Sequence, residues 1–552
     1  MIPRLLLAAT ALLAAGCQTR QNPSQPAAAA PSPAPDGPIR FASVAAQAGI
    51  DFRLSNGGRT PLTILETSGG GAAFLDFDSD GWLDVLLAGP HRVGLYRSLR
   101  NGRFADVTRA SGLASRHWMG CAAGDYDGDG RTDVFLSGYR CHALYRNLGG
   151  GRFADVTRAA GIEGLEWSMS AAFADVDLDG RLDLFVSQYL HFDPPRTPRL
   201  CQVGRVVSAC GPEVYDPLSG RLFMNTGHGR FKAVPWKDTG KTWGVLVSRL
   251  TDARRPAIYL ANDMMPGDLW VNRTGRRWEN IGPSSGTAYD AQGHLQGGMA
   301  VDSGDYDRDG RLDLVVTTYF AQASSLYRND ADGLFTVTSG PTGFGPPTMP
   351  YVKFGTGFVD FDNDGWLDML CASGHVRDNV RDFDASQSYA QPLQVFRNQS
   401  GRFAEVSLAA GAIASQRAVG RGVAFGDYNR DGRVDALVCD LEGPAILLEN
   451  RSDSGHWLGV RLADSGANRH GLGALVRAPV GGVELVREVR TNGGVLAAHE
   501  PAAWFGLGAQ SGQIRLKVEW PDGRTTSATV PGPDRIVTLT PSGHTKKSEV
   551  RG

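Results

Sequence analysis

One nonapeptide template, D-x-D/N-x-D-G-x-x-D, recurs six times and constrains the fold more than any other feature. The copies are DFDSDGWLD at 76–84, DYDGDGRTD at 125–133, DVDLDGRLD at 175–183, DYDRDGRLD at 305–313, DFDNDGWLD at 360–368 and DYNRDGRVD at 427–435. Each is followed by an apolar, β-rich run such as VLLAG, VFLSG or LVVTT. After most comes a landmark of the LYRN type and then an F-x-x-V-type element, whose first residues are Phe41, Phe104, Phe153, Phe231, Trp278, Phe335 and Phe403. Seven such elements against six loops leave one loop missing. It falls in VSRLTDARRPAIYLAND, which places Arg249, Thr251, Ala253 and Ala257 at the four aspartate positions. This stretch reads as a repeat that kept its hairpin and lost its site.

A period of about 40 to 50 residues with several short strands and glycine turns marks a propeller blade. The 71 glycines, without a collagen period, fit a chain of tight turns. Seven repeats suffice to close a ring, and closure protects strand edges that separate sheets would expose. FASVAAQAGI at 41 precedes the first loop, so each repeat is cut across a blade boundary and the two ends of the ring should latch in one blade. The expected fold is all-β: a seven-bladed β-propeller over residues 40–450, a small β-sandwich-like domain over 451–541 and a disordered tail over 542–552. In the second domain WLGVRLA, ALVRAPV and VELVREVR have strand length and pattern, and Gly481-Gly482 and Pro521-Asp522-Gly523 mark turns.

Carboxylates at positions 1, 3, 5 and 9 repel one another unless a cation neutralises them. Calcium takes six to eight oxygens and tolerates irregular geometry, whereas magnesium demands an octahedron and retains water. The expected side-chain ligands are Asp76, Asp78, Asp80 and Asp84; Asp125, Asp127, Asp129 and Asp133; Asp175, Asp177, Asp179 and Asp183; Asp305, Asp307, Asp309 and Asp313; Asp360, Asp362, Asp364 and Asp368; and Asp427, Asn429, Asp431 and Asp435. The carbonyls of Trp82, Arg131, Arg181, Arg311, Trp366 and Arg433 supply the seventh-position oxygen, and the glycine at position 6 allows the turn. An EF-hand differs, since its loop runs to a glutamate at position 12 between helices. About six structural Ca²⁺ ions are expected, each tying a hairpin of modest apolar content. The formal charge of −2 then becomes about +9 in the loaded, processed chain.

These loops and the patterns GGGAAFLDFDSDG and GVAFGDYNRDG resemble FG-GAP/VCBS repeats, the calcium-binding blades of integrin α-subunits, over residues 41 to about 450. HWLGVRL, NRHGLGALVRAPV, EVRTNGG, WFGLG and VEWPDGR resemble the ASPIC/UnbV domain that follows such repeats in the cartilage acidic protein family. The resemblance implies a surface binding module. The lapsed fourth loop and Asn429 depart from the pattern.

At the N-terminus, Arg4 and the run LLLAATALLAAG precede Cys17. The run is too short to span a bilayer and suits a secretory signal. LAAGC resembles a bacterial lipobox, implying a signal over 1–17, acylation of Cys17 and a Pro/Ala-rich tether over 18–39. The expected location is extracytoplasmic, as an outer-membrane or cell-surface lipoprotein. Disulfides are permitted there. Cys201 and Cys210 are the first candidates, and Cys121 with Cys141, which flank a loop, the second.

Met119, Met169 and Met299 each stand six residues before a loop, with His117, Trp118, Glu166, Trp167, Trp243 and His294 nearby and Glu66 similarly placed. Such a ring suits packing where blades converge, or a soft metal or sugar in the channel. There is no G-x-S-x-G, H-E-x-x-H, CxxC pair or CxxCH. The arginines are dispersed, which argues against nucleic acid. The leading expectation is a membrane-anchored, non-enzymatic calcium-binding module engaging a protein or glycan at one propeller face. The alternatives are a carbohydrate lyase or hydrolase at the channel, and a metal- or redox-handling protein.

Overall fold

Each aspartate loop joins the first and second strands of an antiparallel sheet. The computed structural model describes residues 37–547 except 195, 197, 198, 252, 253 and 276. Cys17, the expected signal, most of the tether, Ala253 and residues 548–552 lie outside the described residues.

In the second repeat the strands are Trp118–Gly124, Asp133–Gly138, Ala143–Gly149 and Arg152–Asp155, paired in chain order. Gly124 pairs with Asp133 to close the loop. Leu75 with Asp84, Ala174 with Asp183, Gly304 with Asp313, Val359 with Asp368 and Gly426 with Asp435 repeat that register. The fourth repeat keeps the hairpin, Thr242–Ser248 against Ala257–Met265, without the aspartates. All seven F-x-x-V elements form the short outer strands, from Phe41–Ser43 to Arg402–Glu405.

The first strands are rich in Gly, Ala and Ser and almost wholly buried. Small side chains let neighbouring first strands approach closely, and they touch in order around a cycle that closes where Gly71–Leu75 meets Gly420–Gly426. The seventh sheet is completed by Phe41–Ser43, which pairs with Ile446–Asn450 and latches the N-terminal end into the last repeat. The arrangement is all-β and propeller-like.

The LYRN asparagines hold neighbouring sheets together. Asn147 Nδ2 donates to Phe77 O in the preceding loop at 2.7 Å and to Thr132 O in its own sheet at 3.0 Å. Asn225, Asn272, Asn329, Asn398 and Asn450 likewise reach back to Tyr126, Val176, Leu250, Tyr306 and Phe361. At the closing junction Ser98 takes the asparagine's place, and Arg430 stacks over Trp82 instead, 4.3 Å from the ring centroid.

The C-terminal region forms two four-stranded sheets in a sandwich-like pair, with Leu458, Val476, Phe505, Leu516 and Trp520 in a shared core. One stretch, the strap, leaves it. Residues 491–500 run into the centre of the ring, where Ala497–Ala498 lies parallel to Ala72 and Ala73. Leu496 O accepts from Cys121 N–H, and Gly494 exchanges two hydrogen bonds with Val301. Gly71 must be glycine here: a Cβ would sit 2.7 Å from Gly120 Cα and 2.8 Å from Leu496 O.

Two expectations are corrected. Of the expected disordered tail, residues 542–547 are described and end in the strand Thr545–Lys547, paired with Arg535–Leu539. Cys121 and Cys141 are unbridged. The hairpin register puts Leu136 opposite Cys121, while Cys141 lies beyond the end of that strand near His117 O. Cys201 and Cys210 do form a disulfide, closing the hairpin Leu200–Val203/Val206–Ala209. No described helix is long and apolar enough to cross a membrane.

Candidate metal centres and axial pocket

Each loop is shaped by its first carboxylate. Asp125 Oδ1 accepts from Asp129 N–H and Oδ2 from Gly130 N–H, at 3.0 and 2.8 Å. Asp76, Asp175, Asp360 and Asp427 do the same. The sixth-position glycines have φ between 82° and 88°, a left-handed geometry that glycine adopts without penalty. The fourth position is also left-handed, and in all but one copy a side chain stands there: Ser79, Leu178, Arg308, Asn363 and Arg430. The sequence carries no signal for that.

The ninth aspartate is both ligand candidate and girder. Asp133 is fully buried; its Oδ2 accepts from Tyr126 N–H and its Oδ1 from Asn147 N–H on the third strand. The same pair of bonds recurs at Asp84, Asp183, Asp313, Asp368 and Asp435.

The first, third and ninth carboxylates converge in five loops, with ligand oxygens within 4.8 Å of one another: Asp76, Asp78, Asp84; Asp125, Asp127, Asp133; Asp175, Asp177, Asp183; Asp305, Asp307, Asp313; and Asp360, Asp362, Asp368. Asp78 Oδ1, Asp305 Oδ1 and Asp362 Oδ1 are buried with no hydrogen-bond donor. Burial, reinforced by the neighbouring carboxylates, pushes Asp84, Asp133, Asp183, Asp360 and Asp427 up to about 8, and Asp76 and Asp125 up to about 6. Clustered hard oxygens lacking donors fit a hard divalent cation. These clusters are structural Ca²⁺ sites.

The fifth aspartates stand outside these groups. Asp129, Asp179, Asp309 and Asp431 pair with Arg131, Arg181, Arg311 and Arg433 two residues on; Asp80 pairs with Arg100 at 2.8 Å and Asp364 with Arg397 at 3.3 Å. In the last loop Asn429 replaces a carboxylate and hydrogen-bonds Asp431 instead.

The loops lie under the C-terminal region. Arg461 donates to Gly81 O, Arg469 to Gly128 O, Gly455 N–H to Asp362 O and Gly508 N–H to Asn363 O. At the other end of the first strands a cavity of about 270 Å³ opens between connections of several sheets. Its wall includes Asp263, which accepts from Tyr189 Oη at 2.6 Å and whose carboxyl burial pushes up to about 6. The buried Trp243 indole N–H faces the same carboxylate without full hydrogen-bond geometry. Glu213, Tyr319, Gln322 and Arg377 complete the rim, and the Cys201–Cys210 bridge anchors the Glu213 loop.

FG-GAP-like repeats match residues 76–136, 137–186, 305–371 and 360–438, and an ASPIC and UnbV segment matches 464–546. This is the FG-GAP and ASPIC/UnbV architecture. Cartilage acidic protein 1 of Mus musculus is 26% identical over 294 residues, covering 52% of this chain and 43% of that protein. The Homo sapiens protein is 25% identical over 302 residues, covering 52% and 42%. The chain thus matches less than half the length of these relatives, and neither name is that of an enzyme. Among solved structures, an Agrocybe aegerita lectin specific for non-reducing terminal N-acetylglucosamine is similar at TM-score 0.41, 16% identity, 69% of this chain and 94% of that one. A Burkholderia pseudomallei lectin is similar at 0.45, 12% identity, 71% and 98%. Both overlays fall below a TM-score of 0.5, so no ligand transfers from them.

The methionines before the FG-GAP loops pack. Met119, Met169, Met299, Trp167 and Trp243 form one core with Val495 and Leu496 of the ASPIC/UnbV strap. Trp118 belongs to a neighbouring core and donates to Ala114 O. Glu166 pairs with His191 at 2.8 Å, His117 meets His91 edge to face, His294 is largely exposed beside Asp290, and Glu66 pairs with Arg59 and accepts from Thr63. Sequence reasoning missed Asp263 and Tyr189 because each stands six residues past the ninth loop position of its repeat, outside the aspartate template.

Proposed function

We propose that this chain is an extracytoplasmic, calcium-stabilised seven-bladed propeller, tethered to the outer membrane or cell surface through acylated Cys17, that binds a glycan end group at the axial mouth remote from its C-terminal domain. Fifth-position carboxylates and seventh-position carbonyls complete the calcium ligand sets once the arginines swing away. One observation carries the binding reading. The strap occupies the axis up to Leu496, while the opposite mouth keeps a cavity lined by a buried carboxylate, the Trp243 indole N–H that faces it and aromatic rings. Concave sites with a few convergent polar groups among rings suit sugars, whose hydroxyls bond carboxylates while their C–H faces stack. The disulfide at the rim fits an oxidising compartment.

A glycan array probed with calcium-loaded protein and with Asp263→Asn tests this. Binding that the variant loses supports the reading. Binding only to proteins, or glycan binding untouched by the variant, overturns it. Because Asp263 titrates near 6 and accepts ligand hydroxyls best when ionised, affinity should fall as pH drops from 7.5 to 5, as measured by calorimetric titration.

A further inference from the structure

The fourth loop differs from its siblings in charge, and so does what lies opposite it. Toward the aspartate loops the C-terminal domain presents arginines, Arg461 over the first, Arg469 over the second and Arg487 beside the fifth and sixth, and Glu500, whose Oε2 accepts from Asp427 N–H in the last loop, is itself paired with Arg461 at 2.7 Å. Toward the fourth it presents carboxylates. Glu488 Oε1 accepts from Arg249 N–H at 3.1 Å and its Oε2 from Ser248 Oγ at 2.5 Å. Glu519 Oε2 lies 3.6 Å from Arg249 Nη1, and Arg254 donates to Asp522 O at 3.1 Å. Arg249 occupies the position that is aspartate in every other copy. An aspartate there would face the buried Glu488, whose remaining cation, Arg490 at 3.8 Å, is shared with Asp302, and two desolvated like charges in contact repel strongly.

We infer that the fourth loop is the socket that sets the rotational register of the C-terminal domain on the ring. Seven quasi-equivalent blades offer a domain seven similar seats, and a discriminating device needs a repulsive element as well as an attractive one. Here the aspartate loops repel Glu488 and attract arginine, and the fourth does the reverse. The register matters because Glu488 stands at the root of the strap. Two residues on, Arg490 pairs with Asp302 at 2.6 Å, and Asn492 Oδ1 accepts from Val247 N–H at 2.8 Å. In this seat Leu496 meets the glycines Gly71 and Gly120, which leave room for its backbone.

Hydrogen exchange of the strap, read by mass spectrometry on the full calcium-loaded chain, tests the inference. Arg249→Asp, which restores the template residue, should speed exchange across residues 491–500, and at the Cys121 and Val301 amides bonded to the strap, by roughly tenfold or more. Adding Glu488→Arg should recover most of the protection. Arg249→Gln, which keeps length without charge, should give a smaller acceleration and serves if the aspartate variant does not fold. Wild-type protection in Arg249→Asp or in Arg249→Gln, or a double variant no better protected than Arg249→Asp, overturns the assignment.

Discussion

The aspartates of one loop are not equivalent. Asp313 is fully buried and spans Tyr306 N–H and Asn329 N–H, whereas Asp309 lies at the rim against Arg311. Removing a buried acceptor strands two amides, while a surface pair contributes little. Asp313→Ala should therefore destabilise the calcium-stripped chain, in which Asp309 holds Arg311, by about 2–4 kcal/mol, and Asp309→Ala by less than about 1 kcal/mol, as read from denaturant melts. Equal losses would mean that the fifth carboxylate is as deeply committed as the ninth. The D-x-D-x-D-G-x-x-D pattern shows which residue types gather but not this ranking. The ranking depends on the amide of a residue on the third strand, and in the third repeat that is Asn225, far along the chain from Asp183.

At the scale of elements, the hairpins and outer strands were legible because turn glycines, alternating runs and the F-x-x-V residue all recur. The latch was legible too, since Phe41 precedes the first loop. Deleting residues 37–44 should leave the seventh sheet with a bare edge at Ile446–Asn450 and lower the calcium-loaded melting temperature by several degrees. An unchanged melt would remove the latch from the account. The strap was not legible. TNGGVLAA reads as a turn with small residues inside its own domain, and nothing local reveals that Leu496 meets Gly120 almost 380 positions earlier. Its smallness makes sense only once the narrow axis is known. Cys121 and Cys141 misled for a related reason: symmetry about a loop in sequence is not register in a hairpin.

For the whole molecule, the ring has two unlike faces. The calcium loops end the first strands on the side covered by the C-terminal domain, and the axial pocket lies where those strands begin. Calcium therefore stiffens the seam rather than the pocket, and the loops dominate the sequence while Asp263 and Tyr189 pass unnoticed in it. Repetition made the scaffold visible, whereas the pocket places Tyr189, Asp263 and Tyr319 at one repeat position whose residue type changes from sheet to sheet, so no motif betrays it.

Counting calcium on the stripped and reloaded chain, alongside its thermal melt, tests the central claim most directly. Five loops hold three converging carboxylates and a sixth holds Asn429 in place of one, so the account predicts between five and six Ca²⁺ per chain and a melt raised by about ten degrees or more on loading. Fewer than about three ions, or a melt that chelation does not move, would contradict it.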